Sequence, residues 1–302
     1  MNGARLFLSL LVVSFPAAAL TLVRRTGRPK EWAVVDAICL GAGFVLLEAS
    51  LIHASLPLVF TLLGQDELAA ACKALGGHLF GAAPAFGAAA GSLAILIAVR
   101  TVTVVVWTVR NQVEVRRSAA MVANVPIAGQ RTALLPLPGH SALAVPGANP
   151  LVLLSADLVH LLGRRELTAV VRHEAAHLHH HHVRFLLLGA GVASGLWFLP
   201  WMPRCMDSLR LGLERWADEE ASQGSLQRRR DVRAALAKLA GAGPSRWAHD
   251  RIKALEGSGV QTGSARGWRT AVSAIVPLAL GLAITLGLHF VQLMHVVEAA
   301  PH

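Results

Sequence analysis

Charged residues are scarce in this chain of 302 residues, making up 15% of it against 54% hydrophobic residues. The mean hydropathy of +0.52 exceeds that of most water-soluble enzymes of this size and favours a membrane protein. So high an apolar content excludes intrinsic disorder. Cysteine is rarer still, and Cys39, Cys72 and Cys205 lie too far apart to form C-x-x-C pairs. The sequence therefore encodes neither a disulfide framework nor a thiolate zinc site, and any metal ion must be held by histidine and carboxylate side chains.

Long apolar runs are the most prominent feature along the chain, because roughly 20 apolar residues suffice to cross a bilayer as a helix. Four runs qualify and a fifth is doubtful: Leu6–Val23, Trp32–Leu63, Phe80–Val109 and Ala271–Val297, then Phe185–Trp201. The sequence predicts an α-helical polytopic membrane protein with about four to five transmembrane helices. Two alternatives stay open. The first run is also compatible with a cleaved signal peptide, and the doubtful run with a span, an interfacial helix or an ordinary buried helix.

The charges indicate an orientation in the membrane. Residues 110–269 contain 21 basic and 12 acidic residues, so most of the net charge of +10 lies between two apolar regions. Because basic segments stay on the cytoplasmic side, this block is predicted to face the cytoplasm from a multi-pass protein of the cell membrane.

Within the basic block, turn residues separate short apolar stretches, which predicts strands in hairpin-like succession, followed by helices. The predicted strands are Thr132–Leu137, Ser141–Val145 and Pro150–Leu154. Ser155 is predicted to cap a short helix that ends at Leu162. The next helices are predicted at Arg165–His182, Met206–Ser222 and Arg228–Leu239.

One of these helices contains His173-Glu174-Ala175-Ala176-His177. Residues four apart in a helix lie one above the other, so the two imidazoles face the same point and Glu174 projects towards the same open side. This pattern is typical of a catalytic zinc site, with two nitrogen ligands and a carboxylate beside the metal-bound water.

A catalytic zinc ion needs a third protein ligand, and the following helix offers one. Glu214, Ala217, Asp218 and Ala221 share a face at i, i+3, i+4 and i+7. The two alanines allow close approach to the histidine helix, so Glu214 can reach the metal. Asp218, one turn further on, can accept an N–H from a ligating imidazole. The alternative is a surface helix with i, i+4 charges.

The HExxH helix, followed by an E-x-x-A-D-x-x-A helix 37 residues after His177, resembles the gluzincin membrane peptidases, and among them the BlaR/MecR-type antirepressor family. The resemblance implies that His173, His177 and Glu214 bind Zn²⁺, that Glu174 is the general base, and that Asp218 contacts a ligating histidine. It covers residues 120–240 well. Members often have an acidic residue five or six positions after the second histidine, where this chain has His182 and Val183. No spacing argument selects an oxyanion-stabilising residue from His160 and Arg172.

These features predict a membrane-embedded zinc endopeptidase with an α+β zincin-like metallopeptidase domain inserted between transmembrane helices. The predicted units are transmembrane helices at 1–112, the peptidase domain at 113–240 with a helix at 185–201 that can be embedded, a linker at 241–269, and a last helix with a short tail at 270–302. The expected substrate is a cytoplasmic or membrane-proximal protein, with a transcriptional repressor as one candidate. Quality control of membrane proteins and a non-catalytic, zinc-pinned signalling scaffold are the alternatives.

Other partners follow from smaller features. The lipid bilayer is one, and Gly87–Gly91 is a small-xxx-small pattern that leaves a homodimer open. The arginines at 228–230 lack interleaved aromatic residues, so no nucleic acid is expected. The run His179–His182 is interpreted either as a polar surface or as a loose accessory metal site, because successive residues of a helix point to different faces.

Overall fold

The structure is a computed structural model that describes residues 29–70, 84–122, 124–242 and 247–256. Two long helices come first, α1 (Pro29–Leu62) and α2 (Pro84–Ala120). Four strands follow, β1 (Asn124–Ile127), β2 (Gln130–Leu135), β3 (Ala142–Val145) and β4 (Leu151–Ser155). The remaining helices are α3 (Ala156–Leu161), α4 (Arg164–His179), α5 (His182–Gly195), α6 (Met202–Ser222), α7 (Leu226–Ala242) and α8 (Ala248–Glu256).

The strands form one mixed sheet in the order β1-β2-β4-β3. β1 and β2 are antiparallel and joined by Ala128 and Gly129, both at positive φ, as a tight hairpin requires. β2 pairs with β4 in parallel, and β3 pairs with β4 in antiparallel orientation. The predicted hairpin succession is therefore wrong between β2 and β3. β4 lies between β2 and β3, and all five of its residues are buried.

Ser155 caps α3 as predicted. Its hydroxyl oxygen accepts the backbone N–H of Leu158 at 3.2 Å and that of Ser141 at 3.0 Å. The second contact ties the loop before β3 to the end of β4, and β3 in turn packs against α4.

The prediction of a polytopic membrane protein with four to five spans is wrong. Within the described residues, one helical stretch, Ala88–Ala119, is long and apolar enough to cross a membrane. Only 17% of its most apolar window is buried. The predicted spans at Leu6–Val23 and Ala271–Val297 lie outside the described residues.

The apolar residues of α1 explain the error, because they build a protein core together with α2, α5 and α6. Ala33, Ala37 and Leu40 of α1 are buried in one cluster with Leu209 and Leu213 of α6. A mean hydropathy cannot tell a core helix from a membrane span, since both are apolar around much of their circumference.

The doubtful run at 185–201 belongs to the same core. Val192, Leu196 and Leu199 are buried in it, whereas Leu188, Trp197 and Phe198 are exposed. The helix ends at Gly195 and, at 14 residues, is shorter than a membrane span requires. Its glycines allow α2 to approach closely: a Cβ atom at Gly191 would lie 2.9 Å from Cγ2 of Val105.

The predicted unit boundaries also change. α2 runs without interruption across the boundary at 112 and 113, so the apolar helices and the sheet share one continuous element. The predicted linker at 241–269 contains α8, whose Leu255 packs with Ala169 and Leu236. Gly91 lies against Ser55 of α1, where an added Cβ would be 3.1 Å from the serine Cβ, so the small residue serves packing within the chain.

Candidate metal centre

Helix α4 places the two histidines of the HExxH pattern side by side. Its Val171 and Ala176 are buried in the protein, and the side chains of His173 and His177 are also nearly buried, at 11% and 9% exposure. The Nε2 atoms of the two rings lie 3.1 Å apart. The helical spacing predicted this convergence, and the structure has it.

Helix α6 brings the third predicted ligand to the same point. Glu214 Oε2 lies 3.3 Å from Nε2 of His173, and Glu214 Oε1 lies 3.5 Å from Nε2 of His177. The close approach of α6 to α4 depends on Ala217 and Ala221, which are buried on the facing side of α6. The predicted arrangement of a carboxylate opposite the histidine pair is therefore present.

The geometry of this cluster fits a tetrahedrally coordinated metal ion. Bonds of 2.0–2.1 Å from a tetrahedral zinc ion separate neighbouring ligand atoms by about 3.3 Å. The two Nε2 atoms lie 3.1 Å apart. Glu214 presents one oxygen 3.3 Å from Nε2 of His173 and its other oxygen 3.5 Å from Nε2 of His177, so both histidine–carboxylate separations are close to that value. One atom from each of the three residues lies within 4.8 Å of the other two. His173, His177 and Glu214 can thus hold a metal ion and leave a fourth position for a small ligand.

Asp218 lies one turn beyond Glu214 and contacts the first histidine. Its Oδ1 is 2.9 Å from Nδ1 of His173, the ring nitrogen that faces away from the cluster. A carboxylate there holds the ring with its Nε2 lone pair towards the metal. Asp218 was predicted for this position.

Arg251 is a component of the site that the sequence did not predict. Its Nε donates to Oδ2 of Asp218 and one terminal nitrogen lies near Oδ1, each at 2.7 Å, while the other terminal nitrogen lies 2.7 Å from Oε2 of Glu214. Oε2 of Glu214 therefore faces both the guanidinium and Nε2 of His173, whereas Oε1 faces Nε2 of His177. Arg251 lies on α8, in the segment that the sequence analysis interpreted as a linker. The signal for a helix there is weak: charged residues at Asp250 and Lys253 alternate with the apolar residues Ile252 and Leu255.

The charges in the cluster are strongly coupled. Burial lowers the pKa of His173, but the carboxylates of Asp218 and Glu214 outweigh burial and raise it to about 10. Burial lowers the pKa of His177 to about 4, and the positive charge of His173 adds to this shift. Burial opposes ionisation of Glu214, yet His173 and Arg251 hold its pKa below the usual range. Without metal, one proton on His173 therefore supplies positive charge between the ligands, and metal binding releases it.

Glu174 lines one cavity together with His173 and Glu214 of the metal cluster, and this cavity has a volume of about 140 Å³. Burial raises the pKa of Glu174, although its carboxylate accepts the backbone N–H of Ala144 on the outer edge of β3. His140, on the loop between β2 and β3, lines the cavity as well and was not predicted from the sequence. Arg172, one of the two residues considered for the oxyanion, lines a separate cleft.

Apolar side chains of α3, α4 and α7 form one side of the cavity wall. They are Leu158, Ala169, Val170, Val232, Ala235, Leu236 and Leu239. The cavity thus joins a polar end, with the metal cluster and Glu174, to an apolar end.

The histidine run after the HExxH pattern splits into two environments. His179, His180 and Glu220 form a second group of donors near the surface. The His179 and His180 rings are stacked within 8° of parallel, so their in-plane lone pairs do not converge, and the side chain of Gln223 donates to Glu220. His182, by contrast, is fully buried beside His177, and burial lowers its pKa to about 3.

Comparison of the chain with protein-family models, with curated proteins and with solved structures finds no significant match.

Proposed function

We propose that this protein is a membrane-associated zinc endopeptidase that hydrolyses peptide bonds of a cytoplasmic or membrane-proximal protein. The observation that carries the proposal is the triangle of two Nε2 atoms and one carboxylate, with separations of 3.1–3.5 Å, beside the carboxylate of Glu174 in one cavity. The resemblance to BlaR/MecR-type peptidases suggests a transcriptional repressor as the substrate.

The choice of zinc rests on the donor set. Two neutral imidazoles and one carboxylate, with a fourth position open, are typical of catalytic zinc in hydrolases. When bound, zinc lowers the pKa of a coordinated water towards 7 and polarises a carbonyl oxygen.

Glu174 is the group that moves the proton. It is not part of the ligand triangle, and its half-buried carboxylate lines the cavity together with His173 and Glu214. Its raised pKa brings the carboxylate closer to the operating pH, which suits a group that must both take and return a proton. The Glu174 carboxylate takes a proton from the attacking water and then delivers it to the departing amine nitrogen. A purely structural metal site has no need of such a base.

The adjoining strand favours a peptide as the substrate. β3 pairs with β4 on one side only in the described sheet, and its Ala144 N–H points outwards to Glu174. An extended peptide can add to such an edge through main-chain hydrogen bonds if one of its carbonyl oxygens replaces Glu174 as the acceptor of the Ala144 N–H, and that carbonyl would then lie beside Glu174.

The cavity suggests which peptides are cut. Apolar side chains line one end of it, and such a lining favours an apolar substrate side chain. We expect this apolar end to bind a leucine or phenylalanine side chain next to the scissile bond.

The membrane association is supported by the outward face of α2. Ile95, Val102 and Trp107 are 67%, 58% and 64% exposed, and an apolar surface of this kind marks a membrane or protein contact. The basic character of residues 110–269 supports the cytoplasmic side as the location of the metal centre in this proposal.

The direct test is a cleavage assay on the full chain, purified in detergent and freed of metal with a chelator. After addition of one equivalent of zinc, we expect cleavage of a random peptide library, with cuts beside large apolar residues, as mapped by mass spectrometry. Renewed chelation should stop the reaction. A zinc-loaded protein that cuts neither the library nor any protein of the host proteome would contradict the proposal and favour a zinc-pinned scaffold.

Filling the apolar end of the cavity is expected to change specificity. Ala235→Leu should lower kcat/KM for peptides with phenylalanine beside the scissile bond by about 10-fold or more, because a few methylene groups in a pocket are worth about 1–3 kcal/mol. Peptides with glycine or alanine at that position should be cut at nearly the original rate.

Ala237→Leu is the matched control, since Ala237 lies on the same helix but is exposed. Equal losses for large and small residues in the Ala235 variant, or the same change in the control, would mean that this cavity does not hold the substrate side chain.

A further inference from the structure

His182 stands apart from the rest of the histidine run by its position. It begins α5 directly after His181, whose φ of 55° lies in the left-handed region. A residue other than glycine in that conformation costs energy and persists only where the surroundings hold it. The turn carries the chain back so that the ring of His182 meets α4, and the ring is fully buried.

The contact made by this ring is with a metal ligand. Nδ1 of His182 lies 2.9 Å from Nδ1 of His177, and the two rings are nearly perpendicular with their centroids 4.9 Å apart. His177 directs its other nitrogen, Nε2, to His173 and Glu214. The His182 contact therefore falls on the one nitrogen of His177 that the ligand cluster does not use.

The tautomers follow from this arrangement. A neutral imidazole that binds a metal through Nε2 carries its hydrogen on Nδ1, so His177 must be the donor and Nδ1 of His182 the acceptor. The hydrogen of His182 then resides on Nε2, which is buried and has no hydrogen-bond partner within the described residues. The ring is held instead by packing against the indole of Trp216, with the centroids 4.5 Å apart.

We propose that His182 is the positioning residue of the metal ligand His177: it accepts the Nδ1–H of His177 and so holds the Nε2 lone pair of that ring towards the ion. This inference rests on the proposed function only in taking the ion to be zinc. The two histidine ligands are thus oriented by different groups, His173 by the carboxylate of Asp218 and His177 by an uncharged imidazole.

The uncharged partner has a consequence for the ion. A carboxylate beside a ligating histidine increases the basicity of that ligand and places a further negative charge near the metal. An imidazole orients the ring without adding that charge. The cluster already contains Glu214 and Asp218, with Arg251 as their counter-ion. A neutral partner at His177 preserves the positive charge of the ion, on which its polarising power depends.

The test compares two variants of the same size. Asparagine can place its side-chain oxygen near the position of Nδ1, whereas leucine has a similar shape and no acceptor. In the full-length protein in detergent, His182→Leu is expected to weaken zinc binding by about 10–100-fold, as loss of such a partner typically does. His182→Asn should bind zinc within about threefold of the wild-type affinity, which is clearly less than the tenfold loss expected as a minimum when the partner is removed. Affinity is read by competition with a chromogenic chelator, using zinc ions alone and less than one equivalent.

A second readout is the visible spectrum of the protein loaded with Co²⁺, which reports the geometry of the ligands. The His182→Leu spectrum should differ from the wild-type spectrum, and the His182→Asn spectrum should resemble it. His249→Asn is the control in the same experiment, because His249 is exposed and belongs to neither group of possible metal donors, and it should change neither readout.

Two results would overturn the inference: wild-type zinc affinity in His182→Leu, or equal losses in the leucine and asparagine variants, which would indicate packing alone. These measurements do not involve peptide cleavage. A wild-type protein that binds zinc tightly, responds to the His182 variants as described and cuts no peptide would therefore refute the proposed function and leave the role of His182 standing.

Discussion

Replacing Glu174 with glutamine is expected to lower kcat/KM for peptide hydrolysis by about 10²–10⁴-fold, the usual contribution of a general acid–base group. Glutamine has nearly the same shape and can still accept the backbone N–H of Ala144, but it cannot take a proton from water. At about 1.4 kcal/mol per factor of ten, the loss corresponds to roughly 3–5 kcal/mol of transition-state stabilisation.

The same substitution should leave zinc affinity nearly unchanged, because Glu174 is outside the triangle of His173, His177 and Glu214. Zinc content is measured by elemental analysis, and cleavage with a fluorogenic peptide taken from the library assay. Glu219→Gln is the matched control, since Glu219 is an exposed acid on α6, and it should have full activity. A Glu174→Gln protein that cuts at the wild-type rate would remove Glu174 from the mechanism, and one that loses its zinc would make Glu174 a ligand.

In cells, the Glu174→Gln strain also separates the two kinds of peptidase that the sequence left open. Quantitative comparison of new protein termini with the wild-type strain should show one or a few missing cleavages if the protein is a regulator. A broad loss of termini from membrane proteins would favour quality control.

The metal cluster could be predicted from the sequence because each part of it depends on short-range helical geometry. His173 and His177 are four residues apart, and Glu214 and Asp218 are also four apart, so each pair shares a face whatever the rest of the fold does. The small residues Ala217 and Ala221 added the information that two such faces can approach each other.

The fold was harder to predict because hydropathy does not record what covers an apolar surface. α1 has the composition of a membrane span, yet its alanines pack against Leu209 and Leu213 of α6. The parallel pairing of β2 with β4 was missed for a similar reason. Short turns between successive strands favour hairpins, so the sequence predicted that neighbours along the chain pair. The burial of β4 between β2 and β3 decides the pairing instead. Long-range packing decided both outcomes, and a local pattern contains little information on it.

Arg251 shows the same limit within the site. It reaches Asp218 across 33 residues, from a short helix in a glycine-rich stretch that has little hydrophobic pattern. A buried carboxylate needs a partner, so Asp218 itself could have signalled a missing cation. Nothing in the spacing selects Arg251 from the other basic residues of this region.

Removing the positive charge of Arg251 is expected to lower the free energy of unfolding of the metal-free protein by about 3–5 kcal/mol, the typical cost of leaving a buried ion pair without one partner. Arg251→Met retains the aliphatic part of the side chain. It leaves Asp218, whose side chain is 3% exposed, without its guanidinium partner and removes the same contact from Oε2 of Glu214. Lys253→Met, an exposed position on the same helix, is the control and should change stability little.

Zinc should narrow the stability difference between the Arg251→Met variant and the wild type, because the ion supplies to Glu214 part of the positive charge that the guanidinium supplied. The measurement is chemical denaturation of the full chain in detergent, with and without saturating zinc, followed by circular dichroism. A difference of the same size under both conditions would mean that Arg251 and the ion do not share Glu214, and that Arg251 serves only to hold Asp218 and α8. A difference that shrinks with zinc identifies Arg251 as the charge that keeps the ligand carboxylate ionised and in place until the ion binds.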